Sequence, residues 1–448
     1  MPVAKDLAKN ILRNAKAVAD EAEVYICTRE QLKIDVMDQN TESVDNITDG
    51  GLALRLIKNK KMGFAYTADL DEHSIETLIG QALDISTSAA SDENFGFPAP
   101  KAQTAPLTLV EADISGTKLE DKLKLALDIE KAAYSFDKRI KKSEKISYQD
   151  SISTTVLVNS KGVDITYQKA VCGAFAEVIA EDNGLMETGS WLQFSTAFNS
   201  LDAKYIGEEA AKRAALMLGA KQEKSGRSPV ILSPYVASTL VSAISPALSA
   251  EYVQKGKSLF TGAIDKRVAS IKFNLIDSGI LKNGVSSVPY DDEGIPTRGT
   301  IVIKDGCLRS FLQDSYTAKK GKTSSTANSF RSSFKSQPEI QPTNLYVQPG
   351  FKSQEEMISG SSKGFLVTNI MGAHTINPIS GDFSIGFSGF LIENGKISRP
   401  VRGMTIAGNI LDVFNHIDEI GSDLMFFPHN GSIGAPSILI FGLSVSGI

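Results

Sequence analysis

Apolar residues recur at helical spacing over residues 4–22, where Leu7, Ile11, Leu12, Ala15 and Val18 share a face, and this predicts an amphipathic helix. Short alternating runs follow at 22–27, 31–37 and 51–58, the period-two pattern of half-buried strands. Thr48-Asp49-Gly50-Gly51 predicts a turn between two of them. Helical spacing returns over 72–86, 118–136 and 205–218. Between the last two, residues 154–159 and 163–179 predict a hairpin turned at Ser160-Lys161-Gly162, and Glu181-Asp182-Asn183-Gly184 reverses the chain into 191–194.

A polar stretch, 221–228, predicts a linker that divides the chain into units 1–220 and 229–448. A strand is expected at 229–232, then Ser233 as helix cap with Pro234 at the first helical position. The helix that follows carries Val236, Leu240, Ile244 and Leu248 on one face. Pro246 removes a backbone donor inside it, so the helix is expected to bend or end early. From 273 onward the pattern is mostly strand, with hairpin turns at Asp305-Gly306 and Asn394-Gly395, alternation over 383–391 and a last strand at 437–445. One helix, 409–420, interrupts it. Residues 316–344 are rich in Ser, Lys and Gln without apolar period, and predict a lid, a binding loop or disorder. The fold class expected is α+β: N-terminal helices packed on an antiparallel sheet, then a larger, mostly antiparallel β domain.

Composition leaves this picture intact. Of 448 residues 42% are hydrophobic and 22% charged, which argues against disorder. A net charge of −5 supplies no basic footprint for nucleic acid. Cys27, Cys172 and Cys307 are few and scattered, as expected of reduced thiols in a cytoplasmic protein. Lys5, Asp6, Lys9 and Arg13 interrupt the first apolar run, so no leader is expected, and no run is long enough for a membrane span.

The common catalytic signatures HExxH, GxSxG, Walker A and GxGxxG are absent. Of four histidines, His73 is expected near a helix start, His416 in a helix and His429 in a turn. His374 is the best candidate for a general base or metal ligand, with Asp382 and Ser384 nearby. The favoured reading of that stretch is a tight turn built on Gly372, Pro378 and Gly381. Asp291-Asp292-Glu293-Gly294 sets three carboxylates in a row, but adjacent residues rarely converge on one cation, so a solvated turn is expected. Lys319, Lys320, Lys322, Arg331 and Lys335 form a basic run with no acid between Asp314 and Glu339, also read as solvated.

Several motifs, in order, resemble the TldD/PmbA peptidase family, first labelled "modulator of DNA gyrase". They are Lys257-Ser258-Leu259-Phe260-Thr261-Gly262, the stretch from Tyr290 through Asp291-Asp292-Glu293-Gly294 to Thr297, and Ile303 to Leu308. Pro342-Thr343-Asn344-Leu345 with Pro349-Gly350, Ser380-Gly381-Asp382-Phe383-Ser384, and Leu391 to Gly395 continue the series. TldD-type members carry HExxxH on the helix before the Lys257 segment, and a C-terminal cysteine completes the zinc ligands. Here the two histidine positions fall at Val241 and Pro246 and the glutamate at Ser242, and no cysteine follows Gly421.

The resemblance therefore implies the PmbA (TldE) subgroup. It implies a chain that binds no metal and works with a TldD-type peptidase subunit holding the zinc, in a complex that cleaves small or unfolded peptides. A homodimer is allowed when the chain is alone; nucleic acid and membrane are not expected partners. Two alternatives remain open: an independent peptidase using His374 with Asp382 or Ser384, and a binding protein acting on gyrase. Asp291, Asp292, Glu293, Gly294, Gly372, Gly381 and Asp382 are carried as shared motif positions for peptide binding.

Overall fold

Strand pairing in the N-terminal half is more continuous than the sequence pattern suggests. The computed structural model describes residues 2–102, 112–429 and 431–448. The runs at 22–27 and 31–37 are one strand, β1 (Glu21–Met37), paired with β2 (Asn40–Lys58) from Glu21 opposite Ile57 to Met37 opposite Asn40. Their turn is Asp38-Gln39, both at positive φ (51° and 57°), as a two-residue hairpin loop requires. The predicted turn at Thr48 to Gly51 instead lies inside β2. Gly51 has a packing reason to be there: a Cβ on it would stand 2.3 Å from the ring of Phe334.

With β3 (Lys61–Thr67), β4 (Ile140–Asn159), β5 (Asp164–Asp182) and β6 (Leu185–Ser195), these strands form an antiparallel sheet in the order β3-β2-β1-β4-β5-β6. Helices α1 (Pro2–Lys16), α2 (Glu72–Ser88), α3 (Leu119–Phe136) and α4 (Ala203–Met217) cover one face. Alternation along β1 assigns the faces. Val24, Ile26, Ile34 and Val36 enter two apolar cores under the helices, while Tyr25, Cys27, Arg29, Gln31 and Lys33 point the other way.

The C-terminal half holds two further sheets around a central helix. One has the order Lys396–Asn409, Asp382–Glu393, Lys363–Met371, β7 (Gly226–Leu232), Ile438–Ser446, Ile417–Ile420. Its first strand also pairs with Ile438–Ser446, so five strands close on themselves. The other has the order Cys307–Leu308, Gly299–Lys304, Leu275–Ser278, Asn344–Val347, Gly431–Ala435, Met425–His429. Two pairings, Lys363–Met371 with β7 and Asn344–Val347 with Gly431–Ala435, are parallel; the others are antiparallel. The architecture is α+β, as expected.

Helix α5 (Pro234–Ile244) runs in the core of this half. Pro234 is at its first turn, and Ser233 occupies the cap position without a side-chain cap bond. The helix stops at Ile244, and Pro246 lies in the 3-10 turn Ser245–Leu248 that follows. Both hairpin dipeptides take the expected left-handed conformations, with Asp305 and Gly306 at 50° and 74° and Asn394 and Gly395 at 53° and 73°.

Two expectations fail here. The helix expected over 409–420 is only Ile410–Asn415, and Ile417–Ile420 is a strand. Ile410, Val413, Phe414, Ile417 and Ile420 are all buried, a spacing that suits a helix. The free edge of Ile438–Ser446 captures the last turn by pairing Ile417 with Ile440 and Ile420 with Ile438. Residues 316–344 are neither lid nor disorder. They contain most of the capped helix Ser315–Lys320 and the small ladder Ser329–Phe330 with Glu339–Ile340, and they bury Ala327, Asn328, Ser329 and Phe334. Their polar side chains are spent internally: Asn328 Nδ2 donates to Asp277 Oδ2 at 2.7 Å and to the Gln341 carbonyl at 3.0 Å.

Phe334 joins the halves, packing with Tyr25, Ala53, Leu157 and Val163 on the helix-free face of the N-terminal sheet. Truncation leaves a cavity over Gly51. Phe334→Ala is expected to destabilise the protein by about 3–5 kcal/mol, read as a lowered denaturant midpoint.

Candidate functional site

The acidic turn is buried, which corrects its reading as solvated: Asp291 is 0% exposed, Asp292 6% and Glu293 5%. The backbone explains how three adjacent carboxylates fit. Asp291 Oδ1 accepts the N–H groups of Glu293 (3.1 Å) and Ile295 (2.8 Å), so that side chain closes the turn. Gly294 sits at φ +82°, where a Cβ would also stand 2.5 Å from Val163, so the turn meets the N-terminal sheet at a position that needs glycine. Asp292 Oδ2 accepts the Arg331 N–H at 2.7 Å, and Glu293 Oε2 accepts the Ser315 N–H at 2.9 Å.

Two guanidinium groups face these acids. Arg55 of β2 donates twice to Glu23 of β1, at 2.8 and 2.9 Å, and its Nη1 lies 3.8 Å from Glu293. Arg331 donates to the same Glu23 at 2.8 Å and stands over the Tyr25 ring, 4.7 Å from its centroid. Arg331 therefore leaves the solvated basic run; its side chain is 1% exposed and that of Glu23 0%. Four carboxylates thus share two buried cations, an imbalance that proton retention relieves. Burial, then the neighbouring Glu293, push Asp291 well above the ordinary carboxylate value. Burial raises Asp292 to about 6, against the pull of Arg331, and burial raises Glu293 against the pull of Arg55. The cluster is a charged clamp between the halves.

The positions singled out by the TldD-type motif lie elsewhere, on α5 and just beyond it. Val241 is fully buried in the apolar core, Ser242 is half-buried, and Pro246 is in the 3-10 turn. Only Ser242 carries a side-chain heteroatom, a hydroxyl, and a neutral hydroxyl among apolar neighbours is a poor zinc donor. These residues do not fit a zinc site. Among the described residues, no three His, Cys, Asp or Glu side chains are grouped so as to hold a metal ion.

The Lys257-Ser258 segment packs on the 3-10 turn that follows α5 and meets the His374 loop. Ser258 is buried and donates to the Ala247 carbonyl at 2.6 Å; the Leu259 N–H reaches the Pro378 carbonyl at 3.4 Å. Residues 373–375 form a short 3-10 turn beside α5. Gly372 (φ +83°) and Gly381 (φ +82°) supply the left-handed corners, and Asn377 closes the loop, accepting from Gly381 through its carbonyl and from Ile379 through its side chain. Asp382 is exposed and accepts from Asn409 Nδ2 at 3.0 Å; that bond and one with Ser380 hold its carboxyl below the ordinary value. His374 and Ser384 are also exposed. Among the described residues, no hydrogen bond or ion pair joins His374 to Asp382 or Ser384, so the arrangement is a turn and not an assembled triad.

His429 is placed differently from its sequence expectation. It ends the strand Met425–His429, and its Nε2 lies 3.3 Å from Ser238 Oγ on α5. Ser238 is fully buried and donates to the Tyr235 carbonyl at 2.8 Å, so its oxygen can only accept from the imidazole. Burial lowers the His429 pKa, which favours the neutral ring. Nothing in the local sequence signals this contact, because its partners are far apart in the chain. No disulfide joins Cys27, Cys172 or Cys307.

Three family models match in sequence along the chain: PmbA/TldA metallopeptidase domain 1 over residues 22–86, the central domain over 112–218 and the C-terminal domain over 225–447. The metalloprotease PmbA homologue of Buchnera aphidicola is 28% identical over 98% of this chain and 96% of its own. Metalloprotease PmbA of Escherichia coli O157:H7 is 27% identical over 99% and 96%. Among solved structures, a protein described as a modulator of DNA gyrase from Bacteroides thetaiotaomicron superposes with a TM-score of 0.88 at 27% identity, covering 99% of both chains. TldE from Thermococcus kodakarensis superposes at 0.92 over 98% of this chain and 100% of its own; at 22% identity it speaks for the fold.

Two measurements test the clamp. Arg331→Met removes one partner of a buried ion pair and is expected to cost about 3–5 kcal/mol in chemical denaturation. The second concerns pH. Asp292 holds its proton to about pH 6 when folded and releases it near 3.8 when unfolded, so the native state binds the extra proton. This contribution to stability is full below pH 4 and fades as pH rises through 6. Asp292→Asn is expected to flatten that fall by on the order of 2 kcal/mol when denaturation is compared at pH 4 and pH 6.5.

Proposed function

The chain belongs to the PmbA/TldD metallopeptidase family, and from that premise we propose that it is a PmbA-type subunit of a two-component peptidase. In this reading it binds no zinc. A TldD-type partner supplies the metal and the general base, and the pair cleaves small or unfolded peptides in the cytoplasm. The observation that carries the proposal is the replacement of all three HExxxH positions by Val241, Ser242 and Pro246 inside a matched family domain. Valine and proline side chains cannot ligate zinc, and a serine hydroxyl cannot replace a carboxylate base.

The positions are committed to other work as well. Val241 fills the core between the two C-terminal sheets, and Pro246 sets the 3-10 turn that leads to the Ser258 corner. Restoring ligands there would place polar atoms in an apolar core and lengthen the helix. The chain's part is then to shape the peptide's path, with an extended peptide held by strand addition. Residues 257–262, on the turn after α5, and 372–382, beside α5, carry shared family motifs and are the surfaces assigned to peptide contact. Independent catalysis through His374 is the weaker reading, since His374, Asp382 and Ser384 share no hydrogen bond. A gyrase-binding role is not favoured by the net charge of −5, which supplies no basic footprint for a nucleic-acid complex.

The purified chain is expected to contain no zinc and to leave peptides uncut. Adding a TldD-type subunit from the same cell should raise cleavage above that of the partner alone, with zinc measured in both. Cleavage by the isolated chain, lost in His374→Ala, would instead establish the independent peptidase.

A further inference from the structure

We propose that the helix-free face of the N-terminal sheet holds a small carboxylate bearing an apolar group, of the kind presented by a peptide's C-terminal residue, between Arg29 and Lys169. The site is a cavity of 440 Å³ over β1, β4, β5 and β6, with Ile47 of β2 at its rim. It begins where the charged clamp ends. Tyr25, Leu157 and Ile165 stand in register across three strands, followed by Cys27, Thr155 and Tyr167, and then by Arg29, Ser153 and Lys169. The first row is covered by Phe334 and Arg331 of the C-terminal half. The third row opens into the cavity.

Strand spacing sets Arg29 and Lys169 roughly 10 Å apart at their backbones, with Ser153 between them. Both side chains are long enough to converge above that serine. Neither has an ion-pair or side-chain hydrogen-bond partner among the described residues, whereas Lys33, the third cation of the wall, is paired with Asp35. Asp49 stands directly opposite Arg29 on β2, but its carboxylate accepts the Gly50 N–H at 2.9 Å and forms no ion pair with Arg29. Burial, with Arg29 adding to it, lowers Lys169 to about 8, and Asp292 pulls the other way. A desolvated ammonium short of a counter-charge is the setting in which a carboxylate gains most from binding.

The rest of the wall chooses the ligand. Gln31 and Ser151 occupy the next row and add donors beside the two cations. Val171 and Phe194 make an apolar floor, the Phe194 ring lying where Gly173 has no side chain; a Cβ there would be 2.5 Å from it. Two cations at one end and an aromatic floor at the other suit a carboxylate joined to an apolar body better than a bare anion. Only the choice of a peptide end as the natural carrier rests on the proposed role in peptide handling.

The test is calorimetric titration of the full chain with N-acetylphenylalanine, its C-terminal amide and inorganic phosphate. The acid should bind at least tenfold tighter than the amide and the phosphate. Lys169→Met and Arg29→Gln should each weaken the acid about tenfold without lowering the denaturation midpoint. Equal binding of acid and amide, equal binding of phosphate, no binding of the acid, or unchanged affinity in the double variant would each overturn the assignment. The isolated chain is used, so failure here is separate from failure of the partner-dependent cleavage assay.

Discussion

The charged junction between the two halves centres on one buried carboxylate, Glu23, which receives hydrogen bonds from Arg55 on its own sheet and from Arg331 across the junction. Buried ion pairs repay their desolvation only when geometry is good and the remaining donors are used. Here Arg55 is bidentate, Arg331 is held over Tyr25 with its Nη1 donating to the Ser336 carbonyl, and the backbone of the 291–295 turn satisfies Asp291. Arg331 reaches Glu23 only in the docked state, and its Nε is left buried without a hydrogen-bond partner. Undocking would leave Glu23 and Arg55 paired but strand Arg331 and the acidic turn, so the interface is selected as a unit.

The docked geometry decides what the N-terminal sheet can present. Phe334 occupies the space above Gly51, and the Gly294 turn closes on Val163, so the clamped end of the helix-free face is sealed. Beyond it the same face keeps its outward-pointing polar side chains and becomes a walled cavity instead of a flat surface. The clamp acts on that cavity at a distance too: the charge of Asp292 bears on Cys27, Tyr167 and Lys169 along the sheet.

In the C-terminal half, a helix packed between two sheets must be apolar on several sides. Val236, Leu240, Val241 and Ile244 meet that need and Pro246 ends it. The same topology superposes across the whole chain on the relative from Bacteroides thetaiotaomicron.

The sequence by itself determined the elements whose signals are local. Helical spacing gave α1 to α5, Asp305-Gly306 and Asn394-Gly395 gave two hairpins, and Pro246 gave the early end of α5. The spaced motifs gave the family. What it could not decide were features whose reason lies far along the chain. Thr48 to Gly51 looks like a turn until Phe334 arrives to occupy the glycine. The last apolar turn of 409–420 fits a helix until a strand edge offers it hydrogen bonds. Asp291 to Glu293 and Arg331 look solvated because like charges adjacent in sequence repel, and only tertiary contact supplies the opposite charges that let them be buried. Arg29 and Lys169 are brought to one anion-ready row by strand register, a pairing that periodicity along either strand does not contain.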